Sequence, residues 1–441
     1  MTLERQPERV RVPDYLHAWW AELGINTVTA NATHVIWRVH GPGCASRFRA
    51  AVRNAIARHD ILTRTVVRDD GVFYLERAPR WEIIERSHHE AIDSQIHLTL
   101  YSLVWTPFAE DAAVFRPFLI ELSPTDAVCG FVIHHRVVDY YGSQILAREM
   151  SDEMLGGVSG EARAHPQYVD FLQAMSEWVT GPEAGRRLGY WRECMGDAPQ
   201  TCLPNAASVD AVAVGPFTYI DFELSAALRA RLATAARLCR STLSLITMAI
   251  HHIALAAESA QRDIVANVIV SGRDSPALLD MVGYTADCFP LRAAVDPEET
   301  FASFVRQMQQ KFTVASRQRV KWELVEMAMK EAGASTVAPV FNFHAAPEDS
   351  AAAPGKSDGR APDLSLESIQ VDSAPEFGSA SFNMSHGLTL IDTGHVVRAH
   401  VRYLQMRHDQ QTAESFLERF SRCASAVGRD PLARLEHILE S

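Results

Sequence analysis

The chain alternates between short apolar runs and longer stretches in which apolar residues recur every three or four positions. Short runs rich in β-branched residues predict buried strands, and the wider spacing predicts helices. Strands are predicted at 33–41, 115–122, 128–133, 217–224, 264–270 and 396–403, and helices at 45–59, 226–238, 242–257 and 411–427. Residues 70–122 are interpreted as hairpin and strand material around a polar stretch. This alternation predicts a mixed α/β fold.

One apolar run stands out because it ends in two histidines. The run Val128–Ile133 is followed by His134 and His135, and Asp139 comes four residues after the second histidine. The run is too short and too uniformly apolar for an amphipathic helix, so it predicts a strand buried on both faces. Helical spacing resumes afterwards and predicts a helix that begins near Gly142. Because successive strand residues point to opposite faces, the two histidines are not expected to face the same pocket.

Composition limits the class of protein. A length of 441 residues is too great for a single small core and predicts two domains. The hydrophobic content of 47% and the charged content of 22% are ordinary for a globular protein. The net charge of −12 argues against nucleic acid as the main partner.

Cysteine usage and the N-terminus bear on location. The seven cysteines show no CxxC pair and no Cys/His cluster at metal-ligand spacing. An odd count without a disulfide framework indicates reduced thiols. The N-terminus lacks the apolar core of a signal peptide, and no apolar run reaches the roughly 18 residues of a membrane span. We therefore expect a cytoplasmic protein with no metal and no membrane contact.

The segment His134–Asp139, HHRVVD, resembles the HHxxxDG motif of the condensation domains of nonribosomal peptide synthetases. Chloramphenicol acetyltransferase-like acyltransferases share that motif. Further segments match the same family in the same order. They are RHDILTRTVV, which resembles RHExLRT; LGYWRECMGDAP, which resembles the crossover segment; MVGYTADCFPLR, which resembles VGxxxNxxPLR; and PVFNFHA and SFNMSHGLTLID, which resemble later strands. The resemblance covers the chain from about Thr33 onward.

The resemblance implies a fold of two chloramphenicol acetyltransferase-like αβ lobes that form a V-shaped pseudo-dimer. The lobes are expected at 1–180, which carries the HHxxxD motif, and at 181–441. A tunnel between them would place the motif at its centre. Residues that the resemblance assigns to this tunnel are Asp287, Asn342 and Ser381.

Acyl transfer needs a proton to be removed from the attacking group and an oxyanion to be stabilised. Histidine suits the first task because its ordinary pKa of about 6.5 lies near working pH. By resemblance, His135 is either the general base or the donor that stabilises the tetrahedral intermediate, and His134 is structural. The resemblance also implies that Asp139 forms an ion pair that holds the turn, because a buried carboxylate without a partner is costly. Arg292 is the first candidate partner and Arg273 the second.

The chain departs from the family pattern at two positions. Tyr140 stands where the motif has glycine, and Asp287 stands where asparagine is usual. Tyrosine adds bulk beside the reaction centre. Three consequences are open: a narrower acceptor channel, an unusual substrate, or loss of activity.

Other motifs receive simpler interpretations. His88 and His89, followed by Asp93, also fit HHxxxD, but their polar surroundings indicate a surface segment. His251–His252 lies within a predicted helix and is interpreted as a core or interface pair. Leu155–Ser159 imitates a phosphopantetheine attachment site but is interpreted as the end of a helix followed by a turn.

The resemblance predicts a stand-alone condensation enzyme that passes an acyl group from a carrier-protein thioester to an amine or hydroxyl acceptor. No bound cofactor is expected, since the phosphopantetheine arm belongs to the donor carrier protein. The expected partners are that carrier protein and a small-molecule acceptor, and a monomer is expected. Two alternatives stay open: a non-catalytic member of the fold that recruits a partner enzyme, and an acyltransferase that uses free acyl-CoA.

Overall fold

A computed structural model describes residues 9–17, 20, 32–79, 81–87, 93–108, 112–156, 166–204, 217–345, 363–369, 371, 384–405 and 407–441. The chain divides into two compact units. The first comprises Met1–Trp178, Ser271–Ala286 and Pro347–Gly378, and the second comprises Val179–Val270, Asp287–Ala346 and Ser379–Ser441.

The first boundary lies close to the division predicted at 180. The prediction differs from the structure for 271–286 and 347–378, which it assigned to the other lobe. The physical reason is local bonding. Arg273 and the backbone of Thr285 bind Asp139, and Ser365–Ser368 pairs with the strand Ala32–His40.

The strands fall into three sheets. In chain order they are β1 Arg9–Arg11, β2 Ala32–His40, β3 Arg64–Asp69, β4 Val72–Arg77, β5 Ile84–Ser87, β6 Phe115–Ser123, β7 Asp126–His134, β8 Phe217–Leu224, β9 Asp263–Val270, β10 Asp287–Ala294, β11 Ala338–Ala345, β12 Ser365–Ser368, β13 Met384–Asp392 and β14 Val397–Leu404. The first unit contains a sheet ordered β1-β4-β3 and a sheet ordered β12-β2-β7-β6-β5. The second unit contains one sheet ordered β10-β9-β11-β13-β14-β8.

The helices cover these sheets. They are α1 Cys44–Arg58, α2 Asp93–Trp105, α3 Tyr140–Met154, α4 Tyr168–Val179, α5 Pro182–Met195, α6 Ala226–Leu238, α7 Leu243–Ser259, α8 Pro276–Leu279, α9 Phe301–Arg317, α10 Trp322–Glu331, α11 Gln410–Arg429 and α12 Leu435–Leu439. Two 3-10 turns, Asp14–Leu16 and Asp60–Thr63, complete the described elements. No single described helix is long and apolar enough to cross a membrane. Only α6 and α7 taken together pass that test, and they are bent by 100°.

Helix α2 is a correction to the sequence interpretation of 70–122, which contained only strands. Its apolar residues Ile96, Leu100, Leu103 and Val104 follow helical spacing and are buried. They pack in one cluster with residues of β2, β6 and β7, among them Val128. The strand β6 is as predicted, and a hairpin is present, but its first strand, β3, precedes the predicted range of 70–122.

Strand β7 shows why an unbroken apolar run forms here. It lies between β2 and β6, and every residue from Ala127 to His134 is buried. Val128 and Val132 face the cluster that contains α2. Phe131 points the other way, towards Trp37 and Phe115. Both faces of β7 are therefore covered, which confirms the prediction for 128–133.

The core of the second unit contains an unusual group of histidines. The ring of His251 packs 5.3 Å from Phe341 and 5.8 Å from Phe416. His386 lies 4.8 Å from Phe416 and 5.8 Å from His408. These three histidines are at most 2% exposed. Burial lowers their pKa values well below the ordinary range, to about 4 for His408, so the rings are neutral.

Candidate active site

The candidate site is the turn that joins β7 to α3. Strand β7 ends at His134, and the N–H of Val137 donates to the His134 carbonyl (3.1 Å) to close the turn. Asp139 caps the helix, since its Oδ1 accepts a hydrogen bond from Gly142 N (2.7 Å). Helix α3 therefore begins at Tyr140, two residues before the predicted start near Gly142.

His134 is a buried part of the turn. Its backbone N–H donates to Val114 O (2.8 Å), and its ring packs 5.5 Å from Phe108. Its Nδ1 accepts from the backbone N–H of Arg136 (3.1 Å), so the ring proton lies on Nε2. Burial, followed by the charge of Arg136, holds the pKa of His134 well below its ordinary value. A neutral ring of this kind shapes the turn.

His135 is partly exposed and differently oriented. Its Nδ1 lies 2.8 Å from Val138 O, which can only accept a hydrogen bond, so Nδ1 carries the proton. The neutral ring then has its lone pair on Nε2. The edge of Tyr284 packs against this ring, with the centroids 5.5 Å apart. The turn thus fixes both the tautomer and the orientation of His135.

Asp139 holds the turn through a buried set of donors. Its Oδ1 accepts from Gly142 N (2.7 Å) and from Arg273 NH2 (3.0 Å). Its Oδ2 accepts from Thr285 N (2.8 Å) and Ala286 N (2.9 Å). The Asp139 carboxylate therefore joins the N-terminus of α3 to the segment 271–286. This geometry is a positioning device, because a carboxylate that accepts from several donors is fixed in place.

Arg273 is the partner of Asp139, as the second candidate predicted. Its Nη1 also donates to the carbonyls of Leu278 (2.5 Å) and Met281 (2.8 Å). Both side chains of the ion pair are buried. The guanidinium of Arg273 lies 5.2 Å from the ring centre of Tyr141.

The prediction that Arg292 is the first candidate partner of Asp139 was wrong. The Nη2 of Arg292 lies 2.7 Å from Asp263 Oδ2 and its Nη1 lies 2.6 Å from Asp197 Oδ1, and all three residues belong to the second unit. The cause is sheet register. Arg292 on β10 pairs with Val265 on β9, which makes Asp263 a diagonal neighbour on the same face.

Tyr140 occupies the glycine position of the motif as the first residue of α3. It is half-buried, and burial raises the pKa of its phenol, so the hydroxyl is neutral at working pH. The next residue, Tyr141, is 43% exposed. A pair of aromatic residues therefore begins the helix directly after the capping carboxylate.

Of the three residues assigned to the tunnel, the structure describes two. Asp287 Oδ1 accepts from Cys288 N (2.9 Å) and Trp322 N (3.1 Å), and its Oδ2 lies 3.7 Å from Lys321 Nζ. Asn342 Nδ2 lies 2.9 Å from His344 Nε2. Ser381 lies outside the described residues. The assignment of these residues to a tunnel stays a prediction.

Four residues that contribute to the site escaped sequence analysis. Tyr284 contacts His135, and the backbone N–H groups of Thr285 and Ala286 bind Asp139. The fourth, Arg136, is 1% exposed, and its Nη2 donates to Trp20 O. Burial lowers the pKa of Arg136 to about 10. The only signal for Arg136 was a charged residue directly before the apolar pair Val137–Val138.

The other histidine motifs have structural explanations or lie outside the described residues. His88 and His89 belong to the second group. Both ring nitrogens of His252 lie near backbone carbonyls, Nδ1 2.9 Å from Met248 O and Nε2 3.2 Å from Leu291 O. Carbonyls only accept, and burial lowers the pKa of His252, so the neutral ring donates to one of the two, as a core histidine does. Helix α3 ends at Met154, and Gly156 has φ +80°, which confirms the predicted turn there.

The chain is similar to known proteins over nearly its whole length. The family model described as "Condensation domain" matches residues 22–439. The phosphinothricin tripeptide synthetase PhsC of Streptomyces viridochromogenes is 26% identical over 72% of this chain and 29% of its own length. This chain spans only 5%, 29% and 8% of the lengths of the first three curated relatives.

Two solved structures have the same fold. The X-domain from teicoplanin biosynthesis has a TM-score of 0.76 at 19% identity, with 98% of this chain and 97% of that chain covered. The starter condensation domain of the rhizomide synthetase RzmA, solved with C8-CoA and Leu-SNAC, has a TM-score of 0.77 at 15% identity, with 97% and 96% covered. At these identities the structures establish the α/β fold that the sequence predicted.

Proposed function

Because this chain belongs to the condensation-domain family, we propose that it is an acyltransferase acting on a carrier-protein thioester. The acyl group would pass from the phosphopantetheine arm of the carrier to an amine or hydroxyl acceptor. The product is an amide or an ester. The observation that carries this proposal is the contact of His135 Nδ1 with Val138 O (2.8 Å), which fixes the tautomer of the neutral ring with its lone pair on Nε2.

The reaction follows from that lone pair. The acceptor attacks the thioester carbonyl carbon, a C–N or C–O bond forms, and the acceptor's proton passes to His135 Nε2. The tetrahedral intermediate then collapses, the C–S bond breaks, and the leaving thiolate takes the proton from the imidazolium. Of the two roles open for His135, we assign the general base, because the neutral ring that donates through Nδ1 to Val138 O carries its lone pair on Nε2.

The test compares wild type with His135→Ala, using an acylated carrier protein and a panel of amine and alcohol acceptors. We expect a loss of transfer of about 10²–10⁴-fold, the usual contribution of a general base. His437→Ala is the matched control, because His437 is exposed and belongs to α12 in the other unit. Product at the same rate from wild type and His135→Ala would refute a catalytic role.

Recruitment of a partner enzyme is a second candidate function. Tyr140 in the glycine position favours it, and one structural relative is an X-domain solved in complex with OxyB. This candidate predicts background transfer by every variant together with stable binding of a partner enzyme. A third candidate, the use of free acyl-CoA, is separated by comparing acyl-CoA with the acylated carrier at equal concentration.

A further inference from the structure

Two helices of the second unit carry only positive charge. Helix α6 and the turn after it contain Arg229, Arg231, Arg237 and Arg240, and α9 contains Arg306, Lys311 and Arg317. Neither helix contains an aspartate or a glutamate, although the chain as a whole has a net charge of −12.

The structure brings the two helices together at a groove. The end of α6 and one face of α9 enclose a groove of about 650 Å³. Positions 302, 306, 309, 310 and 313 of α9 line it, which is one helical face. This row spans about 17 Å at a rise of about 1.5 Å per residue, the length of about three helical turns. The groove therefore fits a short helix laid beside α9.

The lining combines exposed apolar side chains with cations. Leu238 is 62% exposed and Val314 is 46% exposed. Arg240 and Arg306 line the same groove, and within the described part of the chain neither forms an ion pair with a carboxylate. Arg229 differs, because its Nε binds Asp392 (2.6 Å) and so serves the fold. The cations at the groove are thus available to an external partner.

We propose that this groove binds an acidic amphipathic helix of a partner protein. Apolar residues of that helix would cover Leu238 and Val314, and its carboxylates would meet Arg240 and Arg306. Charge complementarity supports this occupant, since unpaired cations on an acidic chain steer acidic partners. The exposed apolar residues supply the non-ionic part of the affinity. The proposal does not depend on the acyl-transfer activity.

The test uses a labelled helical peptide of about 16 residues, with leucines along one face and glutamates beside them, and a second peptide with lysine at every glutamate. We expect the glutamate peptide to bind the full chain and the lysine peptide to bind much more weakly. Fluorescence anisotropy measures both. The double variant R240E/R306E should bind the glutamate peptide about tenfold more weakly than wild type. Salt at about 0.5 M screens the charge interactions, so Leu238→Ser, which removes an apolar contact, should weaken binding both at low salt and in about 0.5 M salt.

Arg422→Glu is the matched control. Arg422 is an exposed arginine on α11 of the same unit, outside the groove. Thermal melts of all variants show whether the fold is intact. We expect it to be, because the substituted residues are exposed. Equal binding by wild type and R240E/R306E would overturn the proposal. So would loss of affinity on Arg422→Glu equal to that of the groove variant, because it would indicate attraction by total charge alone.

Discussion

Asp139 is the residue on which the geometry of the turn depends most. We expect Asp139→Asn to lower the free energy of unfolding by about 3–5 kcal/mol, because it leaves Arg273 buried without a countercharge. N–H groups donate to both oxygens of the Asp139 carboxylate. The NH2 group of an asparagine would therefore face an N–H donor in either orientation of the amide. Urea unfolding at neutral pH measures the change.

Asp197→Asn is the control for that experiment. Asp197 also binds an arginine, Arg292, but its side chain is 84% exposed and Arg292 keeps Asp263. We expect a change within about 0.5 kcal/mol. If both variants lose a similar free energy of unfolding, burial of the Asp139–Arg273 pair does not explain the effect at Asp139.

The two arginines also show what a sequence can and cannot determine at this scale. The HHxxxD motif was enough to single out His135 and Asp139 and to predict an ion pair. Excluding Arg292 required the register of β9 with β10, which places Arg292 diagonally across from Asp263 and cannot be deduced from the arginine alone. The contribution of backbone N–H groups at 285 and 286 was invisible, since any residue type supplies one.

At the scale of elements, the approach of α3 to the segment 271–286 depends on a glycine. A Cβ atom on Gly142 would lie 2.7 Å from Gly283 O and 2.8 Å from Val138 Cγ2. We expect Gly142→Ala to destabilise the protein by about 1–3 kcal/mol and to reduce transfer activity, because the helix and the His135 turn must shift. Thermal melts and the acyl-transfer assay check the two effects.

Gly185→Ala is the control, because the same substitution is expected to stabilise the protein at this position. Gly185 lies inside α5, and an added Cβ would meet no atom within 4 Å. Alanine there should stabilise the protein by about 0.5–1 kcal/mol, since glycine in a helix loses more entropy on folding. Destabilisation by both substitutions would indicate that helix context, and not contact with Gly283, controls the effect at 142.

Several elements with strong periodicity were predicted, and one weakly periodic helix was assigned to the wrong kind of structure. The all-apolar run of β7 predicted its burial on both faces, and α1, α6, α7 and α11 were predicted within a few residues of their ends. Helix α2 was missed although Ile96, Leu100 and Val104 follow helical spacing. Its polar surroundings and β-branched residues favoured strands, and only packing against β6 and β7 decides for the helix.

For the molecule as a whole, the buried histidines predict unequal sensitivity to acid. The folded state holds His251, His386 and His408 neutral, with pKa values below the ordinary value of 6.5. The unfolded chain binds protons at those residues as the pH falls below about 6.5, so stability is complete above that pH and decreases towards the folded pKa. For His408, with a folded pKa of about 4, the loss at pH 5 is about 2 kcal/mol.

Urea unfolding at about pH 7.5 and pH 5 tests this on wild type, His408→Leu and His437→Leu. His408→Leu removes one titrating group, so its loss of stability between the two pH values should be smaller than that of wild type by about 2 kcal/mol. His437 is exposed, and its substitution should leave the pH dependence unchanged. Hydrogen exchange should show β13 and α11 losing protection at acidic pH before the hairpin β3–β4, because the histidine group packs against the former pair and the hairpin contains no histidine. An unchanged pH dependence in His408→Leu would mean that other groups, such as carboxylates in ion pairs, control acid unfolding.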